Sequence, residues 1–228
     1  MMRVGYFGLE IKILEALTKA NVFLEGVYLP PAQYWIRKNI PKKIRSRGPL
    51  KRIFKTAATY GLIYDFIKRN KVLALKHSNV NSRQIIHAIQ ELDLDLGIVS
   101  NFDQIIGTAL LTIPRYGFIN MHPSLLPAYR GPDPLGHILR DKQKQSGITW
   151  YQMSTKIDSG DILTQQTFTI APDDTIKDIG EKSIDLAIKA LYPLLEAIEN
   201  EQINPIPQNE AHATYYSRRV KFTDKGLC

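Results

Sequence analysis

The chain has 228 residues, 44% of them apolar, and a formal charge of +8 from 30 Lys and Arg against 22 Asp and Glu. That apolar content can bury a core and suits one large domain, so a soluble globular protein is expected. The single cysteine, Cys228, excludes an internal disulfide and a thiolate metal cage; no apolar run approaches the roughly 20 residues of a membrane span and no signal-peptide pattern opens the chain, so a cytoplasmic protein without membrane contact is expected.

In chain order, RVGYF at 3–7 predicts a short apolar strand, and IKILEALTKA at 11–20 has helical spacing at Ile11, Leu14 and Leu17. FLEGVYL at 23–29 reads as a second strand. From Gly26 to Tyr64 no acidic residue occurs, while Arg37, Lys38, Lys42, Lys43, Arg45, Arg47, Lys51, Arg52 and Lys55 supply nine positive charges, so one segment makes the chain basic. Ile44, Leu50, Ile53, Phe54, Leu62 and Phe66 are interspersed there, which predicts an amphipathic helix in part of an insertion spanning about 36–70. Its basic stretch, 36–55, has three readings: a solvated helix or subunit contact, a site for nucleotide phosphates or a polyglutamate tail, or an RNA contact.

VLAL at 72–75 predicts a third strand, Ser82 an N-cap, and Ile85, Ile86 and Ile89 the apolar face of the next helix. LDLGIVS at 94–100 reads as a strand buried on both faces. The next strand is YGFIN at 116–120, closed by a proline-rich loop, with a helix expected over Leu135 to Arg140. Strands are expected at GITWYQM, 147–153, and ILTQQTFTI, 162–170, followed by a long helix over Ile176 to Asn200 capped at Asp174 or Thr175. Strands alternating with helices predict an α/β, Rossmann-like, mainly parallel sheet with helices on both faces. Residues 1–203 are expected to form the catalytic domain and 204–228 an irregular tail with one short strand around Thr214 to Ser217.

The chemistry concentrates in NMHPSLLPAYRG, residues 120–131. Strand residues i and i+2 share a face, so Asn120 and His122 project together, and Pro123 biases His122 toward an extended backbone. In an open parallel sheet ligands bind outside the carboxyl ends of the strands, where this pair falls. Two readings stand: an amide donor beside an imidazole at a pocket mouth, or strand-end polar residues satisfied by the backbone. Pro123, Pro127 and Gly131 stiffen the loop and allow close backbone approach.

The string NMHPSLLPAYRG, followed by GITWYQMSTKIDSGDIL, resembles the folate-dependent formyltransferase family, which includes methionyl-tRNA, glycinamide ribonucleotide and nucleotide-sugar formyltransferases; the resemblance spans roughly 1–200 and is strongest from Leu94 to Gln166. It implies that the family's catalytic Asn, His and Asp fall on Asn120, His122 and Asp158, although Asp158 also reads as a turn residue in DSGD. It implies 10-formyltetrahydrofolate as formyl donor, held between the loop of Phe102, Asp103, Gln104, Ile105 and Ile106 and the segment of Ser154, Thr155, Lys156 and Ile157. Ser124, Arg130 and Tyr151 are expected on the acceptor side, Arg130 meeting an anionic group or making a surface ion pair.

Two departures stand out. The family usually has histidine where this chain has Tyr151, and GYFGLEIKIL at 5–14 is a poor dinucleotide fingerprint, so no NAD is inferred. His77, His87, His137 and His212 are scattered without a ligand spacing, so no metal is expected. The resemblance leaves the amine acceptor open. The chain stops soon after the long helix, where methionyl-tRNA formyltransferases carry a further tRNA barrel, and YRGPDP with the insertion is unlike the glycinamide ribonucleotide branch. A nucleotide-linked amino sugar is therefore the expected acceptor, with Tyr215 and Tyr216 stacking on a base, packing at a homodimer interface or buried in a strand; methionyl-tRNA, whose enzymes have a basic insertion similar in placement to 36–55, and glycinamide ribonucleotide stay as alternatives. The rival class is a nucleic-acid-binding protein on an inactive formyltransferase fold, in which 36–55 contacts RNA or DNA and binding falls with salt.

Overall fold

The computed structural model describes residues 1–30 and 50–217, with 222–223 and 226–227. Most of the basic segment expected at 36–55 lies outside the described residues. The chain divides into two units, Met1–Gly117 and Phe118–Cys228.

The first unit is built on four parallel strands. β1 (Met2–Gly8) pairs with β2 (Val22–Tyr28) and, on its other side, with β4 (Leu96–Ser100), while β3 (Leu73–Leu75) pairs with β2. Every residue of β4 is buried, as its unbroken apolar run predicts for a strand covered on both faces. Between β1 and β2 runs α1 (Ile11–Leu17), shorter than the expected 11–20, with Thr18 as its C-cap. Its buried face is Ile13, Leu14, Ala16 and Leu17. α2 (Leu50–Asn70) lies within the expected insertion and buries Ile63, Phe66 and Ile67, whereas Leu62, expected on the apolar face, is exposed. In α3 (Arg83–Glu91) Ser82 is the N-cap and its hydroxyl accepts from the Ile85 amide at 3.3 Å. Ile85 and Ile89, one turn apart, are the buried residues. α4 (Thr108–Leu111) is a single turn before Gly117.

The second unit is antiparallel. β5 (Phe118–His122) pairs with β6 (Gln145–Gln152), and β6 pairs with β7 (Ile162–Thr169), both antiparallel. The expected alternation of strand and helix gave no warning of this reversal. Antiparallel neighbours need only a short return, and residues 153–161 supply it between β6 and β7. β5 runs two residues further than the expected YGFIN, so His122 is still in the ladder, opposite Thr149.

α5 (Pro134–Arg140) lies between β5 and β6, and α6 (Ile176–Glu199) follows β7. Of the two expected caps Thr175 is used: its hydroxyl accepts from the Asp178 amide, and Asp178 accepts from the Thr175 amide at 2.8 Å, a reciprocal box. Asp174 instead binds Lys182 and the Ala171 amide. α6 buries Ile179, Ser183, Ala187, Ala190, Leu191, Leu194, Leu195 and Ile198 along one stripe. The fully buried Trp150 of β6 donates its indole N–H to the Ala187 carbonyl at 3.1 Å, tying strand to helix.

The tail does not form the strand expected at 214–217. It makes a single bridge, Arg130 to Tyr215, and another joins Ile206 to Ile162. Tyr216 stacks between His137, centroids 4.1 Å apart, and Tyr129, 5.6 Å, while Tyr215 is exposed. The terminal residues Phe222–Thr223 (β8) and Gly226–Leu227 (β9) pair antiparallel. Among the described residues no helix is long and apolar enough to cross a membrane.

Candidate active site

In the second unit, side chains separated by up to 38 positions converge on one carboxylate. Asn120 and His122 share a face of β5 because the strand period is two, and the antiparallel register sets Tyr151 of β6 opposite Asn120. The return from β6 to β7 brings Asp158 back beside Tyr151.

The Asn120 amide donates to the Tyr151 phenol at 2.9 Å, and the phenol donates to Asp158 Oδ1 at 2.7 Å. The other carboxylate oxygen, Oδ2, accepts from the Gly131 amide at 2.8 Å. His122 Nε2 lies 2.8 Å from the Tyr129 carbonyl. A carbonyl only accepts, so Nε2 carries a hydrogen. Nδ1 faces Asp158 Oδ2 at 3.8 Å, an ion-pair distance longer than a hydrogen bond. His122 and Asp158 are both largely buried, at 5% and 11% side-chain exposure.

Burial pushes the Tyr151 phenol well above its ordinary range, and the neighbouring Asp158 charge adds to the rise. Tyr151 is therefore a neutral donor at physiological pH, and the polarity of the chain from Asn120 through Tyr151 to Asp158 is fixed. Tyr151→Phe is expected to leave both ends of that chain without their shared partner and to destabilise the fold by about 1–3 kcal/mol. The raised phenol favours the folded state fully below the ordinary tyrosine value of about 10, and that contribution is lost as pH rises beyond it, because the unfolded chain loses its proton first. Denaturant titrations between about pH 9 and 11 should show a shallower alkaline fall in the phenylalanine variant than in the parent.

The backbone around the site is unusual. Asp158 has φ 51° and Tyr129 φ 62°, left-handed values that cost residues with a Cβ roughly 1–2 kcal/mol each. At Asp158 the two hydrogen bonds to its carboxylate offset that cost. Two residues on, a Cβ at Gly160 would sit 1.7 Å from the Gln152 carbonyl oxygen. Gly160→Ala is expected to displace the Asp158 turn, lowering stability by about 1–3 kcal/mol, with a fall in turnover larger than any change in KM. Thermal unfolding and steady-state kinetics on the same preparation check both effects.

Ser124 and Arg130, expected to face the acceptor, are turned inward. Ser124 is fully buried and donates to the Ala128 carbonyl at 2.7 Å, bracing the proline loop. Arg130 is buried at 7% exposure, and its guanidinium donates to Gln208 Oε1 at 3.1 and 2.8 Å and to Glu210 at 3.0 and 2.8 Å. A buried guanidinium is costly unless its donors find acceptors, and the tail accepts four hydrogen bonds from it. Gln208, Glu210 and Thr214, whose hydroxyl accepts from the Tyr129 amide at 2.8 Å, were not among the expected site residues. The proline-rich polar tail carries no motif; the one available signal was the ion pair expected of Arg130, and Glu210 supplies the carboxylate.

Of the residues expected to hold folate, 102–106 belong to the first unit. Phe102 packs edge-on to Tyr28, centroids 5.6 Å apart, and Gln104 donates to the Tyr28 hydroxyl at 3.1 Å and accepts from the Val80 amide at 2.9 Å. Ile106 is buried, whereas Ile105 is 67% exposed. In the second unit Ser154 donates to the Lys156 carbonyl at 3.2 Å, Thr155 and Lys156 are exposed, and Ile157 is 46% exposed.

A family model described as Formyl transferase matches residues 33–195. The chain belongs to that family. A methionyl-tRNA formyltransferase of Thermotoga neapolitana is 28% identical over 217 residues, covering 94% of this chain and 64% of its own length. One from Methylacidiphilum infernorum is 36% identical over 158 residues, covering 66% of this chain and 49% of its own. The chain thus spans between about half and just under two thirds of the length of these curated relatives. Among solved structures, a sugar 3N-formyl transferase, WlaRD, crystallised in the presence of dTDP and 5-N-formyl-THF, matches with TM-score 0.66 at 18% identity over 96% of this chain and 70% of its own. Glycinamide ribonucleotide transformylase 1 from Symbiobacterium toebii matches with TM-score 0.68 at 18% identity over 90% and 94%. These structures share the α/β, Rossmann-like fold expected from the sequence.

Proposed function

We propose that the chain transfers a formyl group from 10-formyltetrahydrofolate to a primary amine carried by a nucleotide-linked amino sugar. The observation that carries this reading is the hydrogen-bonded chain from Asn120 through Tyr151 to Asp158 with His122 beside it, in a member of the formyl transferase family.

In this reaction the amine lone pair bonds to the formyl carbon and the carbonyl electrons move onto oxygen. The nitrogen then gives up a proton, the bond from carbon to folate N10 breaks, and N10 takes a proton. An amide side chain carries two N–H bonds and Tyr151 takes one from Asn120, so the second serves the oxyanion. His122, with a hydrogen at Nε2 and with Nδ1 facing Asp158, and Asp158 itself are proposed to move the proton from the attacking nitrogen toward N10 through water. A folate contact is proposed for Ile157, a solvent-facing apolar side chain of the second unit. Arg130 is assigned to the loop's internal support and not to the acceptor, because Gln208 and Glu210 hold its guanidinium.

A second acceptor, aminoacylated initiator tRNA, is favoured by the curated relatives, which are methionyl-tRNA formyltransferases. The protein is mixed with 10-formyltetrahydrofolate and, in parallel, an amino-sugar nucleotide, glycinamide ribonucleotide or methionyl-tRNA, and formylated product and released tetrahydrofolate are measured. Product with the amino sugar alone supports the proposal, and product with tRNA alone replaces it. Formate release without an acceptor identifies a hydrolase and defeats both.

A further inference from the structure

One side chain of the tail beyond the family match bonds both loops of the site. Gln208 is 9% exposed and makes four hydrogen bonds. Its carbonyl oxygen accepts twice from Arg130, and its amide nitrogen donates to the backbone carbonyls of Asp158 at 3.0 Å and Gly160 at 2.7 Å. It therefore links the two loops that form the site, the proline loop through Arg130 and the return from β6 to β7 through Asp158. The main chain closes the same connection: the Arg130 amide donates to the Thr214 carbonyl at 2.9 Å, and the Tyr216 amide donates to the Arg130 carbonyl at 3.0 Å.

We infer that residues 208–216 form a clamp on the active site in which Gln208 is a positioning residue for Asp158; the kinetic part rests on the function proposed above. The carboxylate of Asp158 is held by Gly131 and Tyr151, and its left-handed backbone is held separately, through the Gln208 amide on its carbonyl. A side-chain amide is the group that can do this while serving Arg130, since it presents an acceptor and two donors at once. Glutamate has the acceptor and lacks the donors, which makes it the discriminating replacement.

The test compares Gln208→Glu and Gln208→Met with the parent. The Gly131 amide, which bonds Asp158 Oδ2, is read by hydrogen exchange, and amides of β6 report on the fold. In both variants exchange at Gly131 is expected to quicken at least tenfold while β6 stays protected, and kcat to fall about tenfold or more with KM for the amine within about twofold. Parental exchange and kcat in Gln208→Glu would overturn the inference, because the acceptor toward Arg130 would then suffice. Should Gln208→Met lose its β6 protection, Gln208→Glu decides alone. If the parent formylates no acceptor, the proposed function fails, while exchange at Gly131 still decides whether Gln208 holds Asp158.

Discussion

Asn120→Ala is expected to lower kcat for formyl transfer by roughly 10²–10³-fold, the range for removing one oxyanion donor, with a much smaller change in KM. The ground-state formamide carbonyl is a modest acceptor, and the oxyanion is a strong one, so a donor fixed on a strand contributes mainly in the transition state. Asn120 is fixed in that sense. It sits in the middle of β5, paired across to Tyr151 in the ladder and bonded to its phenol at 2.9 Å. Asn120→Asp sharpens the test, since it keeps the shape, removes the donor and places a second carboxylate on the Tyr151 phenol that already binds Asp158. Rates of tetrahydrofolate release under saturating amine check the prediction. A kcat within about threefold of the parent in the alanine variant would remove Asn120 from the chemistry.

The parts of the site that local periodicity governs were legible in the sequence. A two-residue period puts Asn120 and His122 on one face, and the structure keeps both in the β5 ladder, opposite Tyr151 and Thr149. Local capping chemistry was equally readable: Ser82 does accept from the Ile85 amide, and Thr175 closes the box with Asp178. Asp158 was legible only through the family motif, because nothing local separates it from an ordinary turn aspartate. The antiparallel run of β6 and β7 was not legible, since apolar alternation carries no strand direction, yet that reversal is what returns Asp158 to Tyr151. Of the two readings of Arg130 the ion pair is the one present, with Glu210 at 2.8 Å, yet which residues enclose it was not legible, for a related reason. Its partners Gln208 and Glu210 lie 78 and 80 positions away in a segment with no periodicity, and only folding shows that they enclose it.

Tyr151 changes what the site can do with a proton. A histidine there could carry a second titrating charge beside Asp158, whereas the phenol, raised by burial and by that carboxylate, stays neutral and donates in one direction. Under the proposed function, proton transfer is therefore assigned to His122 and Asp158 and not to Tyr151. A donor chain ending on a carboxylate polarises along its length, so Asp158 also strengthens the Asn120 amide, the oxyanion donor in the proposed reaction.

That dual task makes Asp158→Asn the substitution expected to reach furthest, with kcat lowered by roughly 10²–10⁴-fold, the range for losing a general acid or base. Asp158 accepts from two donors at once, the Gly131 amide at 2.8 Å and the Tyr151 phenol at 2.7 Å. An asparagine offers only one oxygen, so its NH₂ must face either the Gly131 N–H or the phenol. In the first case two donors oppose each other, and in the second Tyr151 accepts from both sides and its proton is left without Asp158. Either way the ion pair with His122 Nδ1 at 3.8 Å is gone. If the pair acts as one device, His122→Ala combined with Asp158→Asn should cost about as much as the worse single variant, and not the product of the two. Single-turnover rates for the four proteins, with unfolding midpoints confirming that each is folded, read this directly. Multiplicative losses across that cycle would show that His122 and Asp158 act on separate steps.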